Sequence, residues 1–310
     1  MEGPVPRTLV VVSLLALGAA LPDGAAAQRR DDDRDWQSRV DTTFAFSRTG
    51  VVELTLVSGE IVVTGSSRDE ARVVARSERG RLRTEFSGNS IVVEVESDRG
   101  RMGETRYELT VPAGVRLRLR STSGDITARQ VRGPVDARSV SGDLLVEDGT
   151  TDVRIESVSG DVRGSRLTGQ VVAQSVSGSI ELDAVAGDVR AESTSGDVTL
   201  DGVTSRDVAV STVSGEVLFA GGIEGTGRYE FHSHSGDIRL EVPENIGARF
   251  DVETYSGSLE SAFQITLQPG EANRRPRRFS FTLGNGAARV TAETFSGDIT
   301  IARRSARAER

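Results

Sequence analysis

Ser121-Thr-Ser-Gly-Asp-Ile126 and Ser139-Val-Ser-Gly-Asp-Leu144 open a series of near-identical hexapeptides in the middle of the chain. Further copies stand at 157–162, 175–180 and 193–198, so the motif returns every 18 residues. A fixed period of this size is typical of proteins built from stacked structural repeats. The series is marked by equally spaced glycines at Gly124, Gly142, Gly160, Gly178 and Gly196.

The repeat has an internal half-period of nine residues, visible at Gly160, Gly169 and Gly178, which predicts two short strands per coil. Between the glycines, apolar or small residues alternate with charged ones, as in Val189-Arg-Ala-Glu-Ser193. This alternation is typical of a strand with one buried and one solvated face, and glycine is expected to supply positive φ at each turn. We predict an all-β chain that forms a single elongated β-solenoid, a β-helix-like fold of 18 residues per coil, with coils about 4.8 Å apart.

Stacking such coils aligns equivalent residues into columns, and these columns predict a slim core. The interior columns contain only valine, isoleucine and alanine, while serine fills two columns at one corner, where it can bond turn amides. An aromatic content of 5% agrees with a thin core. The predicted interior columns are Val135, Val153, Val171 and Val189, and Ala137, Ile155, Ala173 and Ala191.

The composition excludes several classes of function. The chain has 310 residues, a net charge of −8 and no cysteine, which rules out disulfides, thiolate catalysis and cysteine-ligated zinc. All 38 basic residues are arginine, so lysine Schiff-base chemistry is absent, and the mild acidity gives no basic surface for nucleic acid. The motifs of serine hydrolases, zinc proteases and P-loop proteins are missing, and we predict that the protein is not an enzyme and needs no cofactor.

Residues 1–27 have the pattern of a secretory signal peptide. Arg7 precedes an apolar core from Leu9 to Leu21, and Ala25-Ala-Ala27 forms a small-residue cleavage site. The 13-residue core is too short to span a bilayer, although an uncleaved anchor helix is an alternative. We expect a mature chain without a transmembrane segment, exported to the periplasm, the outer envelope or the extracellular space.

The mature chain divides by the regularity of its repeats. Residues 28–39 are a mixed-charge run, predicted to be a disordered linker. Residues 40–112 are β-rich but irregular and are predicted to form an N-terminal cap with the first coils, with a separate small β domain as the alternative. Residues 113–302 are the solenoid repeats, and 303–310 are a polar tail predicted to fray.

Copies of the motif also lie outside the regular region. Ser58-Gly-Glu-Ile61 is an early copy, and after Leu200 the spacing lengthens. Ser296-Gly-Asp-Ile299 is predicted to close the series, two lengthened coils after Ser256-Gly-Ser-Leu259. The longest insertion, Gln268 to Arg278, is predicted to be a loop.

These features together resemble one bacterial family. Besides the Ser-x-Ser-Gly-Asp repeat, the chain has Leu109-Thr-Val-Pro112 followed by Leu117-Arg-Leu119, and a closing Thr294-Phe-Ser-Gly-Asp-Ile299. The sequence over 40–302 is similar to the β-strand-repeat family of adhesin-like proteins, a domain of unknown function. The resemblance implies a β-solenoid-like protein of the cell envelope, brings no catalytic residues with it, and suggests a role in envelope-stress signalling as an alternative.

An acidic column is the first candidate site. The residue after the motif glycine is acidic in most copies, and stacked carboxylates could chelate calcium. Aspartate after glycine is also what an ordinary turn selects, and this interpretation is preferred. The column comprises Asp125, Asp143, Asp161, Asp197, Glu216, Asp237 and Asp298, interrupted by Ser179 and Ser258.

Two other clusters are weaker candidates. His232 and His234 share one side of a predicted strand near Asp237, but a metal site needs a third ligand in suitable geometry, so a solvated pair is preferred. Four arginines of the predicted loop could contact anionic lipid or acidic polysaccharide, although a solubilising loop is the simpler interpretation. These arginines are Arg274, Arg275, Arg277 and Arg278.

The sequence as a whole predicts a non-enzymatic, adhesin-like or structural binding module at the cell envelope. Repeated side chains on a stack of coils suit contact with a polymer or another protein, so the predicted partner is an envelope polysaccharide or an envelope protein. An envelope-stress sensor is one alternative. A β-helical enzyme acting on polysaccharide is the other, and it would need a cleft where acids and arginines converge.

Overall fold

The computed structural model describes residues 36–96, 103–265 and 277–304, and every regular element in these ranges is a β-strand. The predicted signal peptide at 1–27 lies outside the described residues, as does most of the predicted linker at 28–39. The last two residues of that linker belong to the first strand. In the described ranges, no helix has the length and apolar character that a membrane span requires.

The described strands range from three to 16 residues in length. In chain order they are β1 Ser38–Ala45, β2 Val51–Ser66, β3 Glu70–Ser77, β4 Arg81–Phe86, β5 Ser90–Glu96, β6 Thr105–Pro112, β7 Arg116–Arg129, β8 Val135–Ser139, β9 Leu144–Glu147, β10 Val153–Ser157, β11 Val162–Thr168, β12 Val171–Ser175, β13 Ile180–Ala186, β14 Val189–Ser193, β15 Val198–Val203, β16 Asp207–Ser214, β17 Val217–Gly221, β18 Arg228–Ser235, β19 Ile238–Val242, β20 Ala248–Ser256, β21 Leu259–Ser261, β22 Arg277–Leu283, β23 Ala288–Ser296 and β24 Ile299–Arg303.

The middle strands confirm the predicted β-solenoid. Strand β10 lies between β8 and β12 in parallel, with Val153 opposite Val135 and Val171. Strand β11 lies between β9 and β13 in the same way. Each 18-residue repeat therefore forms one coil of two strands, and the coils stack into two rows of parallel strands that face each other across the core.

The predicted core columns are buried. Val153, Ile155 and Ala173 are fully enclosed or nearly so, as are their counterparts in neighbouring coils. Because the register keeps every residue opposite its equivalent one repeat away, small side chains meet small ones in the row formed by β8, β10, β12 and β14. Aromatic side chains enter the core towards the two ends: Tyr107 is fully buried near the N-terminal end, and after β16 the ring of Phe219 packs against Tyr229 and Phe231.

The N-terminal end of the stack does not follow chain order. Strand β2 pairs in parallel with β7, placing Gly59 opposite Gly124, so the early motif copy belongs to the coil next to the regular repeats. The strands between β2 and β7 lie on its far side, where β5 and β6 pair with it directly. Antiparallel strands then end the two rows, β4 on β5 and β1 on β3. Through β2 and its pairing with β7, these strands are hydrogen-bonded into the same sheet as the repeats.

The C-terminal end is also out of order, which corrects the prediction that Ser296 closes the series. Strands β23 and β24 insert between two earlier coils, with β18 and β19 on one side and β20 and β21 on the other. In the row that contains β18, β23 and β20, the outermost strand is β22, which is antiparallel to β20. The predicted tail also begins in ordered structure, because Arg303 ends β24 and Arg304 donates to Asp201 at 3.3 Å.

The motif glycines have a different role from the predicted one. Among them only Gly59 has a positive φ. The others are required by close packing, since a Cβ on Gly178 would lie 2.1 Å from the carbonyl oxygen of Gly160 in the preceding coil. At the second corner, Gly169 and Gly187 do have positive φ. A further left-handed column there is mostly not glycine: Gln130, Asp148, Arg166, Ala184 and Gly202.

We expect Ala184→Gly to raise stability slightly, by about 0.5 kcal/mol. Ala184 has a φ of 52°, a conformation that costs an L-residue about 1–2 kcal/mol. Glycine removes that cost and loses about 0.5–1 kcal/mol through the entropy of the unfolded chain, and Gly202 already holds the equivalent position. Ala186→Gly, at an exposed strand position without positive φ, should instead lower stability by about 0.5–1 kcal/mol. Urea unfolding of both variants checks the opposite signs, and equal losses would contradict the prediction.

Candidate functional site

The repeated motif forms the corner between the two rows, and its first serine stabilises this corner from inside. The buried hydroxyl of Ser157 accepts a hydrogen bond from the Gly160 amide at 2.9 Å. In the next coil, the hydroxyl of Ser175 donates to the carbonyl oxygen of Gly160 at 3.5 Å. Ser139 and Ser193 make the same bond to the preceding coil, so the inner serine column links several of the regular coils.

The acidic column stabilises the same corner from outside. The Asp125 carboxylate accepts a hydrogen bond from the Asp143 amide of the next coil at 2.9 Å, and Asp143 does the same for Asp161 at 3.0 Å. At the C-terminal end, Asp237 accepts from the Asp298 amide at 2.8 Å. These bonds run between coils, not within one turn as predicted, so aspartate here caps the next coil.

The predicted metal ligands do not form a cation cage. In the described parts of the chain, no three histidine, aspartate or glutamate side chains are placed to hold a metal ion. His232 Nδ1 lies 3.3 Å from Glu293 Oε2, while the His234 ring stacks on Phe295 with 5.1 Å between centroids. The two histidines therefore have separate partners. Calcium binding by the acidic column, the alternative to its structural role, stays untested.

Two of the four candidate arginines are engaged within the protein. Arg277 and Arg278 belong to β22, which shortens the predicted loop. Arg277 Nη1 donates to the carbonyl oxygen of Gly257 at 2.8 Å, and Arg278 pairs with Glu253 at 2.9 Å. The other two, Arg274 and Arg275, lie outside the described residues.

An exposed apolar column at the motif corner was missed by the sequence analysis. It is formed by the residue between the two motif serines, and its valines are 46–51% exposed. Backbone hydrogen bonds link successive members, as from the Ser159 amide to the Val140 carbonyl at 3.0 Å. We call this column the exposed ridge; in stack order it contains Thr122, Val140, Val158, Val176, Thr194, Val213, His234, Phe295 and Tyr255.

The C-terminal end of the exposed ridge is aromatic. Phe295 lies between His234 and Tyr255, and the three rings are nearly parallel, with centroids 5.1 and 4.9 Å apart. Phe295 is 50% exposed and Tyr255 is 42% exposed. The change from valine to aromatic residues at one motif position could have been read from the sequence. The contact between Phe295 and Tyr255 could not, because it depends on the insertion of β23 beside β20.

We expect Asp298→Asn to make the protein less sensitive to acid. Hydrogen bonds from the Ser258 amide and hydroxyl, at 2.7 and 2.9 Å, hold the pKa of Asp298 below its ordinary value of 3.8. A lowered pKa in the folded state stabilises the protein at neutral pH, and this stabilisation is lost as the pH falls through that pKa. The native protein should therefore have the higher Tm near pH 7, where its difference from Asp298→Asn is largest. This Tm difference should shrink as the pH falls below 3.8.

Ser258→Ala serves as the matched control for the acid prediction. It removes the hydroxyl bond to Asp298 and keeps the amide bond, so its Tm profile should lie between the other two. Parallel Tm profiles of native protein and Asp298→Asn from pH 7 to pH 3 would contradict the prediction.

Comparison with known proteins gives one family and several similar structures. The model of the family described as Toastrack DUF4097 matches residues 110–192 and 170–302. A crystal structure named "putative adhesin" from Bacteroides fragilis is 12% identical, covers 86% of this chain and 97% of its own, and has a TM-score of 0.43. A "putative lipid binding protein" from Parabacteroides distasonis is 12% identical, with 86% and 97% coverage and a TM-score of 0.44. A "putative adhesin" from Parabacteroides distasonis is 9% identical, with 87% and 98% coverage and a TM-score of 0.41. No curated protein matches the sequence.

Proposed function

Because the chain belongs to the Toastrack DUF4097 family, a family of unknown function, we propose that it is a non-enzymatic binding module exported to the bacterial cell envelope. The exposed ridge carries this proposal. The fold accepts threonine on the ridge at Thr122 and Thr194, so valine, phenylalanine and tyrosine at the equivalent positions are not needed for folding. A contiguous exposed apolar surface of this kind usually marks an interaction site.

One cavity of the described surface is smaller than an ordinary ligand pocket. A shallow cavity on β3 and β6 has a volume of about 130 Å³ and is lined by Arg72, Val74, Arg76, Glu108 and Thr110. This volume is less than half of the roughly 300 Å³ at which ligand pockets begin. Both histidines already contact other side chains, Glu293 and Phe295. Binding along a regular surface fits the described residues better than turnover in a cleft.

Residues 1–27 supply the argument for export. Their charge, apolar core and small-residue site have the order of a secretory signal. A tagged full chain should therefore appear in the envelope or extracellular fraction of the producing cells, and a chain lacking residues 1–27 should stay inside. Cytoplasmic retention of the full chain would overturn the envelope location.

Cosedimentation with isolated cell envelopes tests the binding function. The purified chain from residue 28 onward should pellet with envelope material and stay in solution alone. Threonine replacement of the ridge valines 140, 158, 176 and 213 should weaken pelleting, since it removes apolar contact area and keeps the fold. Leu145→Thr/Val172→Thr, at partly exposed positions off the ridge, is the control and should pellet like the native chain. A native chain that does not pellet would overturn the proposal.

A further inference from the structure

The aromatic end of the exposed ridge differs from the rest of the ridge in its neighbouring charges. Three residues after each ridge residue, the chain reaches the acidic column at the same corner. In the regular coils, Arg163 neutralises this column, lying 3.3 Å from Asp143 and 2.7 Å from Asp161. Within the described ranges, no ion pair involves the four carboxylates beside the aromatic end: Asp197, Glu216, Asp237 and Asp298.

These four carboxylates form an acidic row that has no ion pair among the described residues. They stand in successive coils, about 4.8 Å apart by strand spacing, and one oxygen each of Asp197 and Asp237 is used by the amide of the next coil. The second oxygen of these aspartates remains for an external partner. Such a row repels an anionic membrane surface and a second copy of itself, and it attracts a cation.

The aromatic stack adds a second preference for cations. Arginine and lysine are attracted to the faces of aromatic rings. Phe295 is covered on both faces by His234 and Tyr255, so it is Tyr255, 42% exposed at the end of the stack, that can offer a face to a cation. The ridge also offers apolar side chains, starting with Val213 next to His234. A partner that suits all of these features must combine positive charge with apolar groups.

We propose that the aromatic end of the exposed ridge, with Phe295 and Tyr255 beside Asp237 and Asp298, docks an extended cationic and apolar segment of a partner protein. In an extended segment, successive side chains point to opposite sides. A segment lying between the two columns directs its apolar side chains to the ridge and its arginines or lysines to the carboxylates. The inference rests on the proposed binding function and names the partner's chemistry.

Fluorescence anisotropy with short labelled peptides tests the proposal. The probe is a synthetic peptide in which arginine alternates with leucine; one comparison peptide replaces leucine by serine, and the other replaces arginine by glutamate. The native chain should bind the arginine–leucine peptide best, and the affinity should fall with salt. Phe295→Thr/Tyr255→Thr should weaken this binding at least about tenfold.

Two matched controls separate docking from folding and from general charge. Threonine is native to the ridge at Thr122 and Thr194, and a native-like Tm would show that Phe295→Thr/Tyr255→Thr is folded. Val140→Thr/Val158→Thr, at the far end of the ridge, should bind normally. Asp237→Asn/Asp298→Asn keeps the oxygen acceptors and should weaken binding several-fold more than Asp143→Asn/Asp161→Asn, although the change in net charge is the same.

Several results would overturn the inference: no peptide binding, equal binding of the arginine–serine peptide, or equal binding by Phe295→Thr/Tyr255→Thr. Stronger binding to lipid vesicles or to neutral polysaccharide, lost in the same variant, would assign the surface to another partner and also overturn it. Envelope pelleting without peptide binding would leave the proposed function standing. Peptide binding by a chain that does not pellet would keep the docking surface and overturn the envelope function.

Discussion

Gly160→Ala is expected to lower the free energy of unfolding by about 3 kcal/mol or more, the upper range for overpacking a well-filled site. The new Cβ would lie 2.0 Å from the carbonyl oxygen of Gly142 and 2.5 Å from its carbonyl carbon. Both are backbone atoms of the preceding coil, so no side-chain rotation relieves the contact. The coils must separate, which also weakens the bond from the Asp161 amide to the Asp143 carboxylate across the same interface.

Gly88→Ala is the control for this substitution. Gly88 lies in an exposed bend, and a Cβ there has no neighbour within 4 Å. Its backbone has no positive φ, so alanine should be neutral or stabilising by up to about 1 kcal/mol. Urea unfolding followed by circular dichroism measures both variants. Equal stability of Gly160→Ala and native protein would contradict the close stacking of coils at the motif corner.

Ending the chain after Gly286 is expected to disrupt far more than one terminal coil. The deletion removes β23 and β24, whose buried Val290, Ile299 and Ile301 contribute roughly 1.5–3 kcal/mol each by burial. It also removes the only strands described as joining β20 and β21 to the rest of the stack. Since each kcal/mol corresponds to about 2–4 °C in a protein of roughly this size, we expect Tm to fall by more than about 10 °C.

Limited proteolysis distinguishes this arrangement from stacking in chain order. If the coils stacked in order, the truncated chain would lose only its outermost coil and would keep β20–β22 protected. In the observed arrangement, the residues of β20–β22 should become the first cleavage sites. A chain ending after Arg304, which retains both strands, is the control and should keep the native Tm. Protection of β20–β22 in the shorter chain would contradict the inserted position of β23 and β24.

The sequence was sufficient to predict the repeating part of the fold. Period-2 alternation assigned Val153 and Ile155 to the core, and both are buried. The 18-residue spacing placed them opposite their equivalents in the next coil, as the register shows. The prediction succeeded because both signals are local and are repeated many times.

The candidate site was only partly predictable. The acidic column was identified, and its preferred structural role agrees with the hydrogen bonds between Asp125, Asp143 and Asp161. The bond runs to the next coil, however, which a turn preference within one coil does not reveal. The exposed ridge was not predicted because its residue type varies from copy to copy, and its exposure and alignment appear only when the coils are stacked.

The sequence alone thus determined the coil length, the two-row architecture and the core columns, because these depend on a period that each repeat carries within itself. The tertiary structure decided which coils are neighbours at the two ends, since all coils present similar backbone edges and any of them can pair with any other. It also decided why the motif glycines are glycine, because the 2.1 Å approach between a Cβ at Gly178 and the Gly160 oxygen exists only once the coils are stacked. The aromatic end of the ridge has the same origin: Phe295 and Tyr255 are 40 residues apart in the chain and meet only because β23 inserts beside β20.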